Sequence, residues 1–509
     1  MTTETSLLLP LIPFVPLLAA LFVALGETEE GGRQAAFVLG TVPSFVLGAV
    51  LAAQLVAGGG GGHPLILTAW GGFLYADVLS ALLVCCTFLV VSGVGVYSFA
   101  YLRHDVARGL VTEAGSKLYY FLLLVFSAFM AWTLVISHLF FMFLVIEIAT
   151  IAVSFLVATY KTKYALIASF KYNLLVVMAM LFAVMGAVFI FARMTTVDPT
   201  LSRIHVLEMG KLTALLPTSL ALTIVACFVC AFGTKGGMMP FHSWLPDAHS
   251  EAPAPISALL SGLVVVVGPF GFARTVTLFA PHYSQVVVLA AALGGASIVV
   301  GILMAIVQDD LKRLLAYSTI SQVGYVFIGI GLGTYLGVYG GLFHAVTHLL
   351  VKALLFFCSG AIIYRLGLRR ISDLGGLSRK MPLTAACFFA GCLSIGGLPF
   401  FAGFPSKYTI VLALAKARLW WALAITAFAG TLTLAGLVWA GYRVFWGEES
   451  PKVAALAAEG RELPLSMAAP MIVLAAAVVL LGVYPQALYP VLDSSVRSIL
   501  GLVSLEVAP

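Results

Sequence analysis

Seven ionisable side chains stand where an apolar chain has every reason to exclude them. Lys171, Lys235, Lys352 and Lys407 each lie in or beside a hydrophobic run, and Glu147, at the end of FMFLVIE, is the single carboxylate well inside one. A charge at mid-bilayer depth costs about 2.5 to 3.5 kcal/mol on insertion scales, so such groups are kept for a use. His344, His348 and Lys352 recur at i, i+4 and i+8, which places all three on one helix face over about 12 Å of rise. Burial disfavours the charged form of ammonium and carboxylate alike, so the chemistry open to this set is reversible proton binding and hand-over. Glu147 is the natural counter-charge for one of the lysines, Lys235 foremost, and a change in their separation would load or release a proton. Lys171, nearer a helix end, has the alternative of snorkelling to the interface. The paired histidines lack a third ligand, so no metal site is expected.

The elements that must position these groups are helices in lipid. Of 509 residues, 62% are hydrophobic and only 9% charged, and apolar runs repeatedly reach the roughly 20 residues that span a hydrocarbon core. The pattern predicts an all-α membrane protein with helices over 7–26, 35–56, 78–97, 118–136, 139–158, 168–192 and 219–237. The second half gives 256–278, 286–307, 315–332, 337–364, 381–410, 419–446 and 465–483. Two of the fourteen are predicted to be broken. Lys235 sits in GTKGGMMP, and Lys407 follows GGLP and GFPS, combinations of Gly and Pro that interrupt a helix. The seventh and twelfth helices are five apart, which fits two inverted five-helix repeats, 118–280 and 281–450, flanked by 1–117 and 451–509. Residues 199–216 alternate Arg203, Glu208 and Lys211 with apolar side chains, as an interfacial helix does. Residues 58–62 read as a flexible connector and the residues around Arg497 as a tail. Asp77 reads as the N-cap of the third helix. The charged motifs at Asp309-Asp310 and Asp247-Ala-His249-Ser-Glu251 read as solvated caps, or as contacts with a partner or the channel ends.

Sixteen Lys and Arg fall in loops after odd-numbered helices against five after even-numbered ones, which predicts both termini on the non-cytoplasmic side. Residues 1–26 lack a basic leader and a cleavage site and read as a retained first helix. No basic stripe interleaves with aromatics, so nucleic acid is not an expected partner. All seven cysteines lie in apolar runs and read as small buried hydrophobes.

Four stretches carry a family resemblance: FGTKGGMMPFHSWLPDAHSEAPAPISALLSG at 232–262, DLKRLLAYSTISQVG at 310–324, HAVTHLLVKALLF at 344–356 and GLPFFAGFPSK at 397–407. From about Asp77 to the thirteenth helix the chain resembles the proton-conducting antiporter-like subunits of NADH:quinone oxidoreductase (complex I), Mrp-type Na+/H+ antiporters and energy-converting, hydrogenase-4-type membrane-bound hydrogenases. The resemblance implies a fourteen-helix fold and a hydrophilic axis made of Glu147, Lys235, His344, His348, Lys352 and Lys407, with Lys171 matching a sixth-helix lysine of many members. Residues 147–172 look most like the F-type subunits of hydrogenase-4-type complexes, whereas Phe404-Pro-Ser-Lys407 looks more like the largest complex I antiporter subunit or Mrp subunits. One departure stands out. Many members carry a lysine on the eighth helix where this chain has Val266, and others a histidine where it has Ser261.

The resulting expectation is a proton-translocating subunit, in a prokaryotic cell membrane, of a redox-driven complex. It would have no catalytic centre and no cofactor of its own, since the chain offers no ligand set for flavin, quinone or metal clusters. Its partners would be antiporter-like paralogues, other membrane subunits, a redox module and lipid. The alternative is a subunit of a Mrp-type antiporter, moving Na+ as well as protons. An inert membrane scaffold is a third reading, but a scaffold would gain by losing buried lysines.

Overall fold

The computed structural model describes residues 2–26, 29–58, 65–197, 209, 212–454 and 462–504. Among them, thirteen helices are long and apolar enough to cross a membrane, and the twelfth crossing is completed by two shorter helices in series. Most ends fall within a few residues of expectation. The exceptions are instructive: the third span runs Val78–Ala107 and the sixth Lys163–Val197, both longer than their apolar cores. Hydropathy marks only the apolar part of a helix, and these two continue beyond it into more polar sequence. Asp77 caps the third span as expected, accepting the Ser80 N–H at 2.9 Å. Of the expected interfacial helix at 199–216 only Met209 and residues 212–216 are described; its charged positions, like most of the connector at 58–62, lie outside the described residues.

The spans fall into an outer and an inner set. The first, sixth, thirteenth and fourteenth turn large apolar side chains such as Phe22, Phe170, Phe428 and Leu480 outward, a surface suited to acyl chains. The eighth (Ala254–Phe279), tenth (Leu311–Gly331) and eleventh (Tyr335–Leu366) are enclosed almost completely by the others. The predicted titratable face of the eleventh span therefore points into protein.

Both predicted breaks are present and share one construction. The seventh span runs Thr218–Gly236, stops at Gly237 with φ +72°, and resumes as Leu245–Glu251. The twelfth runs Pro382–Gly396, stops at Gly397 with φ +86°, and resumes as Gly403–Lys416. A left-handed glycine turns the chain and closes its N–H onto the last carbonyls, which is how a helix ends without strain. The eighth span departs from the regular helix expected over 256–278. It is α-helical at Ala254–Leu259, widens into a π turn at Leu260–Val264, and regains α geometry at Val267–Arg274. At Gly268 it presses against the break in the seventh span. A Cβ there would lie 2.5 Å from the Phe232 carbonyl oxygen and 2.6 Å from the Gly236 nitrogen.

Two features were not legible as apolar runs. A three-stranded sheet joins Thr2–Thr5, Leu65–Ala69 and Leu74–Ala76, the first pair parallel and the second antiparallel. Strands of three to five residues carry too few alternations to register as a period. The tail around Arg497 is also a helix, Tyr489–Ser504, lying against the third and eleventh spans.

Candidate functional site

Each break leaves helix-terminal carbonyls in the protein interior, and a lysine lies beside each. In the twelfth span, the Lys407 ammonium reaches back across the break to donate to the Ile395 carbonyl at 2.6 Å, satisfying an acceptor that the first half-helix leaves open. Its charge also lies 4.5 Å from the centre of the Tyr325 ring, a cation–π distance. The Tyr325 hydroxyl is fixed on the Thr426 carbonyl at 2.6 Å. In the seventh span the break is sewn up by Trp244, whose indole N–H donates to the Thr234 carbonyl at 2.8 Å.

Lys235, 3% exposed, does not form the ion pair expected of it. Its ammonium donates to the Thr150 hydroxyl at 2.5 Å, and that hydroxyl passes its own proton to the Ile146 carbonyl at 2.8 Å. Glu147 lies one turn earlier on the same helix, within electrostatic reach of Lys235, with both carboxyl oxygens buried and without a hydrogen-bond partner. The Thr150 hydroxyl takes the place of the carboxylate as acceptor for the Lys235 ammonium. Glu147 is thus one turn from the hydroxyl that holds the Lys235 ammonium, a buried acid beside a buried base with no hydrogen bond between them.

The eleventh span keeps the register read from its spacing. His344, His348 and Lys352 are all at most 1% exposed. His344 Nδ1 shares a 3.0 Å hydrogen bond with the Ser406 hydroxyl, next to Lys407, and its ring lies 5.6 Å from that of Tyr325. Lys352 donates to the Leu315 carbonyl at 2.9 Å and the Ser318 hydroxyl at 2.5 Å on the tenth span. The Nε2 atoms of His344 and His348 are buried without partners. Lys407, His344, His348 and Lys352 thus make one file, while Glu147 and Lys235 make a second group at the other break. Lys171 joins neither. Its side chain is 37% exposed and pairs with Asp247 at 2.7 Å, two turns into the sixth span.

Three features escaped the sequence reading. Asp247, His249 and Glu251 are not a simple loop but the second half of the broken seventh span, tied by ion pairs Arg313–Asp247 (3.5 Å) and Arg369–Glu251 (3.7 Å). Asp310 does cap its helix, accepting from the Lys312 and Arg313 N–H groups, and also pairs with Arg369 at 2.8 Å. His249, between the two carboxylates, is fully buried and lies parallel to the Phe356 ring at 4.9 Å. Beside it opens a cavity of about 260 Å³ whose lining includes Tyr101, Tyr160, Glu251, Lys312 and Arg369.

The third is a buried pair at the opposite end of the eighth span. Arg274 grips Asp77 with two hydrogen bonds, 2.7 and 2.5 Å, and Ser498 of the C-terminal helix donates to the same carboxylate at 2.7 Å. Only the need of Arg274 for a counter-charge could have hinted at it, because its partner is 197 residues away.

Residues 137–433 match the family described as NADH:quinone oxidoreductase/Mrp antiporter, TM. NADH-quinone oxidoreductase subunit N of Desulforudis audaxviator is 32% identical over 95% of this chain and 96% of its own length. A Na(+)/H(+) antiporter subunit of Alkalihalophilus pseudofirmus is 31% identical over 75% of this chain and 74% of its own. A chain in the solved Mrp complex from Dietzia sp. DQ12-45-1b has the same fold, with a TM-score of 0.84 at 22% identity over 97% of this chain and 99% of that one. With more than half of its length matched and a relative aligned nearly end to end, the chain belongs to the antiporter-like membrane subunits of the NADH:quinone oxidoreductase/Mrp antiporter family.

Proposed function

We propose that this chain is the proton-translocating membrane subunit of a multisubunit, redox-driven ion pump of the NADH/quinone oxidoreductase or membrane-bound hydrogenase type. The observation that carries the reading is the buried file Lys407, His344, His348 and Lys352, with Lys235 and Glu147 at the second break. No fold needs these groups for stability, since each buried charge is a cost that an apolar side chain would remove. The NADH-quinone oxidoreductase relative, aligned over almost its full length, supports this redox-driven reading. Protons would step between neighbouring groups of the file as partner subunits shift the breaks, and energy would come from a redox module in the same complex. The two five-span units, 118–280 and 281–450, would each supply one broken helix and one lysine. On the charge bias of its loops, the chain would sit in a prokaryotic plasma membrane with both termini outside the cytoplasm.

The Mrp reading stands second, favoured by the Na(+)/H(+) antiporter relative from Alkalihalophilus pseudofirmus. Membrane vesicles holding the complex separate the two. Acidification driven by an electron donor such as NADH or hydrogen supports the first reading, and acidification collapsed by a Na+ pulse supports the second. In the same vesicles Glu147→Gln is expected to leave the complex assembled and lower proton translocation by about tenfold or more, a floor on the roughly 10²–10⁴-fold that a positioned proton-transfer group contributes. Unaltered translocation would remove Glu147 from the path.

A further inference from the structure

No side chain of the file or of the seventh-span break joins the two groups of titratable residues. The eighth span, which lies between them, offers only Val266 and Ser261 where many family members carry a titratable group. Ser261 is occupied with Thr319, at 2.7 Å. The gap is approached instead from the second half of the seventh span. His249 is fully buried, and neither ring nitrogen has a hydrogen-bond partner. An imidazole held this way, with an apolar ring on one face and both nitrogens free, is costly unless it is used.

Its surroundings are specific. On one side Lys312 donates to the carbonyls of Ser250, at 3.3 Å, and Ala252, so its ammonium lies against the residues that follow His249. Lys312 is itself buried but lines the open cavity beside Glu251 and Arg369. On the other side, Phe356, against which the imidazole is stacked, is one helical turn beyond Lys352 on the eleventh span. Lys312, Lys352 and His348, all basic, are the charged or titratable groups near enough to influence His249. The carboxylates of its own helix are turned away, Asp247 to Lys171 and Arg313, Glu251 to Arg369.

We infer that His249 is a relay between the Lys312-lined cavity and Lys352, forming a side branch that feeds the file of the eleventh span. The inference rests on the proton-translocating reading of this chain. In the step, the Lys312 ammonium gives up one N–H proton to one imidazole nitrogen, and the other nitrogen releases its proton to neutral Lys352, leaving neutral Lys312, neutral His249 and an ammonium at Lys352. Because every facing group is basic, the cluster tolerates few positive charges at once, so Lys352 must be emptied toward the file before the relay can reload. The repulsion sets the order of the steps, and the direction comes from whatever drives the file.

The test uses the whole complex in vesicles. His249→Phe keeps a ring to stack on Phe356, and His249→Gln keeps a polar group of similar length; neither can pass a proton. Both are expected to assemble and to lose about tenfold or more of proton translocation. If either variant pumps within twofold of the unsubstituted complex, the inference is overturned, because packing or polarity alone then suffices. Glu147→Gln measured alongside separates the causes: its loss with His249→Phe active rejects only the relay, and full activity in all three rejects the transport reading as well. Should the His249 variants fail to assemble, Lys312→Gln decides. Its amide can still reach the Ser250 carbonyl, so loss of translocation supports the branch and normal translocation overturns it.

Discussion

Single residues in this protein do two opposed things with buried charge. Asp77 and Arg274 cancel one another, with two hydrogen bonds between them and Ser498 completing the carboxylate. Lys235, Lys352 and Lys407 have no carboxylate in contact among the described residues and rest on hydroxyls and carbonyls, acceptors that stabilise an ammonium without fixing it. The first arrangement suits a lock and the second a carrier. Arg274→Met should therefore leave Asp77 buried and unpaired and cost about 3 to 5 kcal/mol. Thermal unfolding of the complex in detergent would register it, and an unchanged midpoint would mean that the pair is not a lock. The residues of the file were legible from the sequence because an ionisable side chain inside an apolar run is conspicuous by itself. The lock was not, since Asp77 and Arg274 both sit at helix ends, where charges are ordinary. His249 was passed over for a similar reason, being written among charged neighbours that resemble a loop.

At the scale of elements, the breaks in the seventh and twelfth spans were readable because Gly and Pro write them directly. The widened turn in the eighth was not, since no residue type marks a π turn and apolar periodicity averages over it. Its position matters more than its shape. Gly268 brings the eighth span into backbone contact with Phe232 and Gly236 at the seventh break, so whatever moves one moves the other. Gly268→Ala must push the two apart and should cost about 1 to 3 kcal/mol, as overpacking usually does. If the contact transmits motion, translocation should fall by more than unfolding stability would explain, whereas a normal proton yield in an assembled complex would show the contact to be packing alone. The helices that outran their apolar cores teach a related point: hydropathy finds the membrane, not the helix.

Over the whole molecule, the outer spans present lipid-compatible surface, and the enclosed eleventh span carries His344, His348 and Lys352 while the two broken spans bring Lys235 and Lys407 to the interior. The number of spans was legible from composition and run length, and the inward direction of the eleventh only from its charged face. How the two groups approach one another was out of reach, because it depends on contacts between segments far apart in the chain. The central claim is that this inner file carries protons. Lys352, midway between His348 and the tenth span, is the member that both the file and the His249 branch require. The most direct measurement is the proton-to-electron ratio of the complex carrying Lys352→Met, in vesicles with an internal pH dye. A fall of about tenfold or more in translocated protons, with the complex intact, is the predicted result; a ratio equal to that of the unsubstituted complex would contradict it.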